Sequence, residues 1–282
     1  MIAYLDTNLF DHLYKKIGCT AADIADLRKA VYGRGLSIPL GIHVLEELLL
    51  NQRASPQELV ARVKLTLSIA SIRRMVKPCD QLIADDIRSY AAAGAADRPL
   101  VNVQIQNAIT QGIAELIESD GEEFSEEISD ALQDTRRRKE RFLNGMNVAL
   151  QEITSLTAPA PANIGFAEYF DRSAPVAAEL LANRVGVLDA CRDRGIAGLL
   201  EIRSVRALVG SALSFIYGQT LAGAPPPSAD PIDFVHLPSA AATAEVFVTN
   251  DNRLREALAR IPFDNLRLMN LAEFLAANSS PD

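Results

Sequence analysis

The sequence predicts an α/β fold in which a parallel sheet, flanked by helices, is interrupted by a large all-α insertion. Three observations carry this expectation. Short apolar runs near the two ends of the chain, Ile2-Ala3-Tyr4-Leu5 and Glu245-Val246-Phe247-Val248-Thr249, each stop at polar residues that open a helix. Strand and helix signals alternate over the first fifty residues, the order that builds a parallel sheet. Between Ser55 and Leu221 the periodicity is helical, with almost no strand signal.

The elements follow in order. The first strand ends at Asp6-Thr7-Asn8, and a helix is expected over about 8–17. Thr20 stands as an N-cap ahead of Ile24, Leu27 and Val31, and Gly33-Arg34-Gly35 breaks that helix. Leu36-Ser37-Ile38 reads as a second strand, with Pro39 and Gly41 marking a turn. The next helix carries Val44, Leu45, Leu48 and Leu49 on one face. Ser55-Pro56 opens the helical stretch, with candidate helices at 56–76, 80–94, 100–118, 123–154, 174–193 and 196–221. Breaks fall at Ala158-Pro159-Ala160-Pro161 and Gly223-Ala224-Pro225-Pro226-Pro227, and residues 223–231 read as a stiff connector. After the strand at 245–249, Leu254, Leu258 and Ile261 mark a helix, Leu266-Arg267-Leu268-Met269 a fourth strand, and Asn270 caps a last helix through Phe274. Residues 1–75 and 228–282 thus form the α/β part, and residues 76–227 the helical insertion.

Composition limits the function. The 282 residues include 28 basic and 36 acidic side chains, a formal net charge of −8, and no Trp. That balance excludes a protein holding nucleic acid by overall positive charge or by aromatic stacking platforms. It leaves room for a nucleic-acid enzyme working through metal ions and a local basic patch. Cys19, Cys79 and Cys191 are too dispersed for a disulfide framework or a zinc site. The first residues have no basic region or extended apolar core of a signal peptide, and no run approaches about 18 apolar residues. A cytoplasmic protein without a membrane partner is expected.

The chemistry-bearing residues are carboxylates. In a parallel sheet, ligands gather at the carboxyl ends of the strands. Asp6 and Asp251 lie just past strand ends, Glu46 and Glu47 about one turn into the helix after the second strand, and Asp233 three residues before His236. Two carboxylates 4 Å apart repel by about 4 kcal/mol at an effective dielectric of 20, so such a cluster needs a cation. Oxygen donors without Cys or paired His favour Mg²⁺ or Mn²⁺, and two such ions suit attack of water on a phosphodiester. The competing reading of Asp6, Asp233 and Asp251 is helix capping, and of Glu47 a solvated helix face.

Tyr4-Leu5-Asp6-Thr7-Asn8, Val44-Leu45-Glu46-Glu47-Leu48-Leu49, Asp233-Phe234-Val235-His236-Leu237 and Val246-Phe247-Val248-Thr249-Asn250-Asp251 resemble the successive acidic motifs of PIN-domain nucleases. The resemblance covers about 1–75 and 228–277. It implies a PIN-like fold and a metal-dependent endonuclease, with RNA as the expected substrate, whose metal shell is Asp6, Glu47, Asp233 and Asp251. It favours Glu47 over Glu46 and leaves Asp230 as the alternative to Asp233. Asn8, His236, Thr249 and Asn250 fall where residues supporting the metal or its water would stand. The family includes many bacterial toxins, so an antitoxin or other protein partner is an open expectation, as is self-association. The chain departs from the family in the 186 positions separating Glu47 from Asp233.

Three other readings remain. The run Arg136-Arg137-Arg138-Lys139 is either a solvated helix face, acidic early and basic late, or a strip that contacts nucleic-acid phosphates. A haloacid-dehalogenase-type phosphatase also begins with a strand ending in Asp, but it wants a second Asp where this chain has Asn8. A catalytically degenerate PIN scaffold, serving as a protein-interaction module, is the non-enzymatic alternative.

Overall fold

The first strand, β1 (Ala3–Leu5), is fully buried, as its apolar run predicts, and it sits at the middle of the sheet. The computed structural model describes residues 1–33, 35–50, 54–121, 126–156, 164–222, 235–261, 263 and 265–279. β1 pairs in parallel with β4 (Val246–Val248), and β4 with β5 (Arg267–Met269). On the other side, β2 (Pro39–Gly41) pairs in parallel with β3 (Ser71–Val76). A parallel bridge between Ile2 and Ser37 joins the two sets, with the Ala3 N–H donating to the Ser37 carbonyl at 2.9 Å. The resulting order is β3-β2-β1-β4-β5, a mixed α/β architecture around a small parallel sheet. Strands buried on both faces need helices above and below, which the chain supplies in abundance.

Register decides what stands at the rim. Leu5 lies opposite Val248, and Val248 opposite Met269, so these strands end level. Asp6, Thr249 and Asn270 therefore line one carboxyl edge. The strand order reverses between β1 and β4, and in open parallel sheets a ligand crevice opens at that reversal.

Two stretches differ from expectation. The ladder at the second strand runs past Ser37 through Pro39–Gly41, where the sequence suggested a turn. Pro39 is tolerated as the first strand residue, beside a register shift. Gly41 is there for packing, because a Cβ would lie 2.1 Å from the Tyr4 hydroxyl oxygen. The expected helix at 56–76 is α4 (Pro56–Leu67) followed by β3. Arg73 is exposed and Arg74 donates to Ser37 Oγ at 3.0 Å, so this edge strand lacks the alternation that would reveal it.

The helices of the N-terminal part are α1 (Thr7–Lys15), α2 (Ala21–Gly33) and α3 (Ile42–Leu49). The central segment contains α5 (Cys79–Ala93), α6 (Val103–Glu118), α7 (Glu126–Leu156), α8 (Phe166–Val185), α9 (Leu188–Arg194), α10 (Ile196–Leu199) and α11 (Arg203–Ala222). The helix expected at 174–193 is divided: α8 begins earlier and keeps Pro175 inside it, and Gly186, at φ +80°, ends it ahead of α9. The helix expected at 196–221 is likewise split into α10 and α11. The breaks at 158–161 and 223–231 lie outside the described residues. The chain closes with α12 (His236–Thr243), β4, α13 (Asn252–Ala259), β5 and α14 (Leu271–Asn278).

α11 packs against α8, α5, α12 and α13, and α7 against α3, α5 and α8. Sheet and helices share one buried apolar cluster. Among the described residues, no helix is long and apolar enough to cross a membrane. Cys19, Cys79 and Cys191 are free thiols.

Gly41→Ala is expected to destabilise the protein by about 1–3 kcal/mol, because the new methyl overlaps the Tyr4 hydroxyl. Tyr4→Phe, which removes that oxygen, should return part of the loss. Urea unfolding of the two single variants and the double variant measures the coupling.

Candidate functional site

Asp6 follows β1 directly and stands at the N-cap position of α1, with extended backbone, yet its side chain makes no capping hydrogen bond. Its carboxylate instead accepts a hydrogen bond from Thr249 Oγ1 at 3.0 Å, and the residue is buried. The Thr249 oxygen in turn accepts from the Asp251 N–H at 3.2 Å. One buried hydroxyl thus connects the acid after β1 to the turn after β4. Asp251 does cap: its Oδ1 accepts from the Leu254 N–H at 3.0 Å at the start of α13. Asn250 braces the turn, accepting from the Leu271 N–H at 2.9 Å and lying 3.0 Å from His12 Nδ1. Asn8 is exposed on α1.

The two glutamates of α3 have different environments. Glu46 is wholly buried, with Arg136 Nε donating to its Oε1 at 2.8 Å and Lys139 Nζ 2.5 Å from its Oε2. Glu47, 22 % exposed, accepts from Lys139 Nζ at 3.0 Å and has His236 Nε2 at 3.6 Å. Burial works against both charges. The His43 contact and the two basic side chains outweigh it at Glu46, and His236, Lys139 and Thr7 outweigh it at Glu47, so both carboxyls are held below the ordinary range.

His236 opens α12 and is buried at the centre of this arrangement. Its Nδ1 lies 3.3 Å from the Tyr4 hydroxyl and its Nε2 3.3 Å from Thr7 Oγ1, so one imidazole contacts β1, α1 and α3 together. Burial pushes its pKa down, but the Glu47 carboxylate beside it and the charge of Asp6 prevail and raise it.

The cations come from α7. Its seam reads Leu132, Arg136, Lys139, Leu143, Met146, Leu150, Ile153, the alternating four-and-three spacing that keeps one helix face turned inward. Two positions of that apolar stripe are basic, and they lie against α3. Lys139 is 7 % exposed, a burial that a lysine tolerates only when paired. Of the other basic residues in the run, Arg138 makes two hydrogen bonds to Asp80 Oδ2, at 3.0 and 2.7 Å, and Arg137 is exposed. Three of the four residues considered as phosphate contacts therefore face carboxylates of their own chain.

The structure brings together Asp6, Glu46, Glu47, His236 and Thr249, with the Asp251 turn beside them. Asp230 and Asp233 lie outside the described residues. Tyr4, Thr7, His43 and the inward role of Arg136 and Lys139 were missed by sequence reasoning, although the seam spacing was there to show the last. Among the described residues, no three His, Cys, Asp or Glu side chains converge as a metal ion requires. The oxygen donors suit a hard divalent cation, and Lys139 lies on two of them. No family model, curated protein or solved structure matches the chain.

The His236–Glu47 pair has a definite pH signature. His236 binds its proton more tightly folded than unfolded, so its contribution is complete below pH 6.5 and is lost as pH rises through its raised pKa. Glu47's contribution is present above pH 4.5 and is lost as pH falls through its lowered pKa. Unfolding free energy should therefore decline as pH rises above 6.5. Glu47→Gln should remove much of that decline, as followed by urea unfolding at several pH values and by the His236 resonance in NMR titration.

Proposed function

We propose that the chain is a PIN-like, metal-dependent endonuclease that hydrolyses phosphodiester bonds, with RNA as its substrate. The observation that carries this reading is the Asp6 carboxylate. It lies where the strand order reverses, it forgoes the capping bond its position offers, and a buried threonine hydroxyl from the far end of the chain aims it. Asp6 and Glu47 would hold the ion, with Asp251 and Asp233 as further donors. A bound Mg²⁺ or Mn²⁺ supplies an activated water and neutralises charge developing on the leaving oxygen. Thr249 fixes the orientation of Asp6, and His236 keeps Glu47 ionised. Arg137, exposed on α7, remains available to a phosphate.

A second reading is a PIN-like scaffold without activity that serves as a protein-interaction module, with an antitoxin-like protein or a second copy as partner. The contacts of Arg136 and Lys139 with Glu46 and Glu47 favour it, because they already balance the charge a metal would balance.

The test is Mn²⁺-dependent cleavage of end-labelled single-stranded RNA, beside a DNA control. Thr249→Val should slow cleavage about 10–100-fold, the usual loss for a residue that orients a metal ligand. Asp6→Asn should exceed that loss with no drop in melting temperature, and chelation should stop cleavage. Equal rates for wild type and Asp6→Asn would sink the nuclease reading.

A further inference from the structure

We propose that the cavity at the amino-terminal edge of the sheet binds a small amphipathic anion, a molecule with an apolar body and one carboxylate, and that Arg73 holds the carboxylate. Ser37 bridges to Ile2 ahead of β1 and Ser71 opens β3, so the residues around this cavity lie at the edge opposite Leu5 and Val248. The site is separate from the rim at Asp6 and stands independently of the nuclease reading.

The cavity itself is the first argument. A space of about 640 Å³ lies between the end of α2, the segments that enter β2 and β3, and α6. Sites for small organic ligands span about 300–1,000 Å³ and are mostly apolar, with a few polar groups that fix orientation. This lining has that character. Ile38, Ile69 and Ile113 are buried, whereas Leu67 and Ile117 stay half-buried along its walls. Tyr32 stands at the border with 76 % of its surface exposed, an aromatic ring left in water that an apolar body would cover.

The second argument comes from the backbone of β3. Its pairing passes from Pro39–Ser71 directly to Leu40–Met75, so Ile72, Arg73 and Arg74 have no partner residue on β2. Regular pleating sends successive side chains to opposite faces, yet Ser71, Ile72 and Arg73 all border the cavity. Irregularities of this kind re-aim side chains and recur beside functional sites. The two arginines then divide. Arg74 donates to Ser37 Oγ at 3.0 Å, whereas Arg73 is exposed and, among the described residues, has no hydrogen bond or ion pair. A guanidinium with free donors at the wall of an apolar cavity suits a planar carboxylate, which it grips with two parallel hydrogen bonds. One guanidinium balances one charge, so a carboxylate fits better than a phosphate monoester, which carries nearly two.

Calorimetric titration of the full chain with decanoate, kept below its micelle concentration, tests this. Wild type should bind one decanoate per chain. Arg73→Gln should weaken binding about tenfold, the scale of a lost charge-assisted hydrogen bond, while Arg141→Gln, at an exposed position of α7, stays within about twofold. 1-Decanol, which has the body without the charge, should bind wild type and Arg73→Gln alike. Ala114→Phe sets a ring into the cavity from an exposed position of α6, so it should abolish decanoate binding and leave the melting temperature unchanged. Absence of saturable binding to wild type, an equal loss in Arg141→Gln, or full binding by Arg73→Gln or Ala114→Phe would overturn the proposal. Tighter binding of decyl phosphate than of decanoate would overturn the choice of a singly charged head.

Discussion

The parallel pairing of β1 with β4 is the contact on which the rest of the architecture hangs, because it joins residues 3–5 to residues 246–248 and closes nearly the whole chain into one loop. The entropy of closing a loop grows only logarithmically, about 0.6 kcal/mol for each doubling of length, so a long intervening segment is not in itself a heavy burden. It must, however, return its ends to the same place. α11 does this by packing on both α12 and α13, the helices that flank β4 in sequence. The rim at Leu5 and Val248 is consequently set by the ladder, and the helical segment can be large without displacing Asp6 from Thr249.

Closure has a chemical consequence. The Asp6–Thr249 hydrogen bond and the His236 contacts with Tyr4, Thr7 and Glu47 all connect the two ends of the chain. The site therefore exists only when the sheet is assembled. Its electrostatics do not close with the sheet alone. Glu46 and Glu47 on adjacent positions of α3, with Asp6 nearby, leave an excess of negative charge that His236 only partly balances. The remainder comes from α7, which makes the helical segment part of the site as well as its neighbour.

The sheet was legible wherever an apolar run met a polar stop: β1, β4 and β5 all follow that pattern, and so does the Asn270 cap of α14, where the side chain accepts from the Glu273 N–H at 2.7 Å. β3 was illegible because its arginines keep an edge strand polar, and Pro39 and Gly41 read as a turn because their reasons lie in tertiary contacts. At the site, Asp6, Glu47 and Thr249 could be read from motif position. The capping by Asp251 was foreseen as the plainer alternative, and the structure has it. Lys139 was hidden for a different reason. A run of four basic residues looks solvated as a block, and only the spacing from Leu132 to Ile153 marks Lys139 as the buried one.

The pair of Arg136 and Lys139 raises an energetic question with one answer. Removing Lys139 from water costs several kcal/mol, while Arg136 keeps about a third of its side chain exposed, and buried ion pairs commonly do no better for stability than apolar side chains of similar volume. Two leucines in the seam, facing apolar residues on α3, would hold α7 as firmly. What charges add is direction. An apolar seam with four-and-three spacing can slide by a turn, about 5.4 Å, and still bury leucine and methionine. Arg136 and Lys139 forbid that slip, since it would leave Glu46 buried without a partner. The same dependence runs the other way: whatever takes charge away from Glu46 or Glu47, a proton or a cation, loosens the hold of α3 on α7. α7 is thus held against α3 by the charges on Glu46 and Glu47 as well as by its apolar stripe.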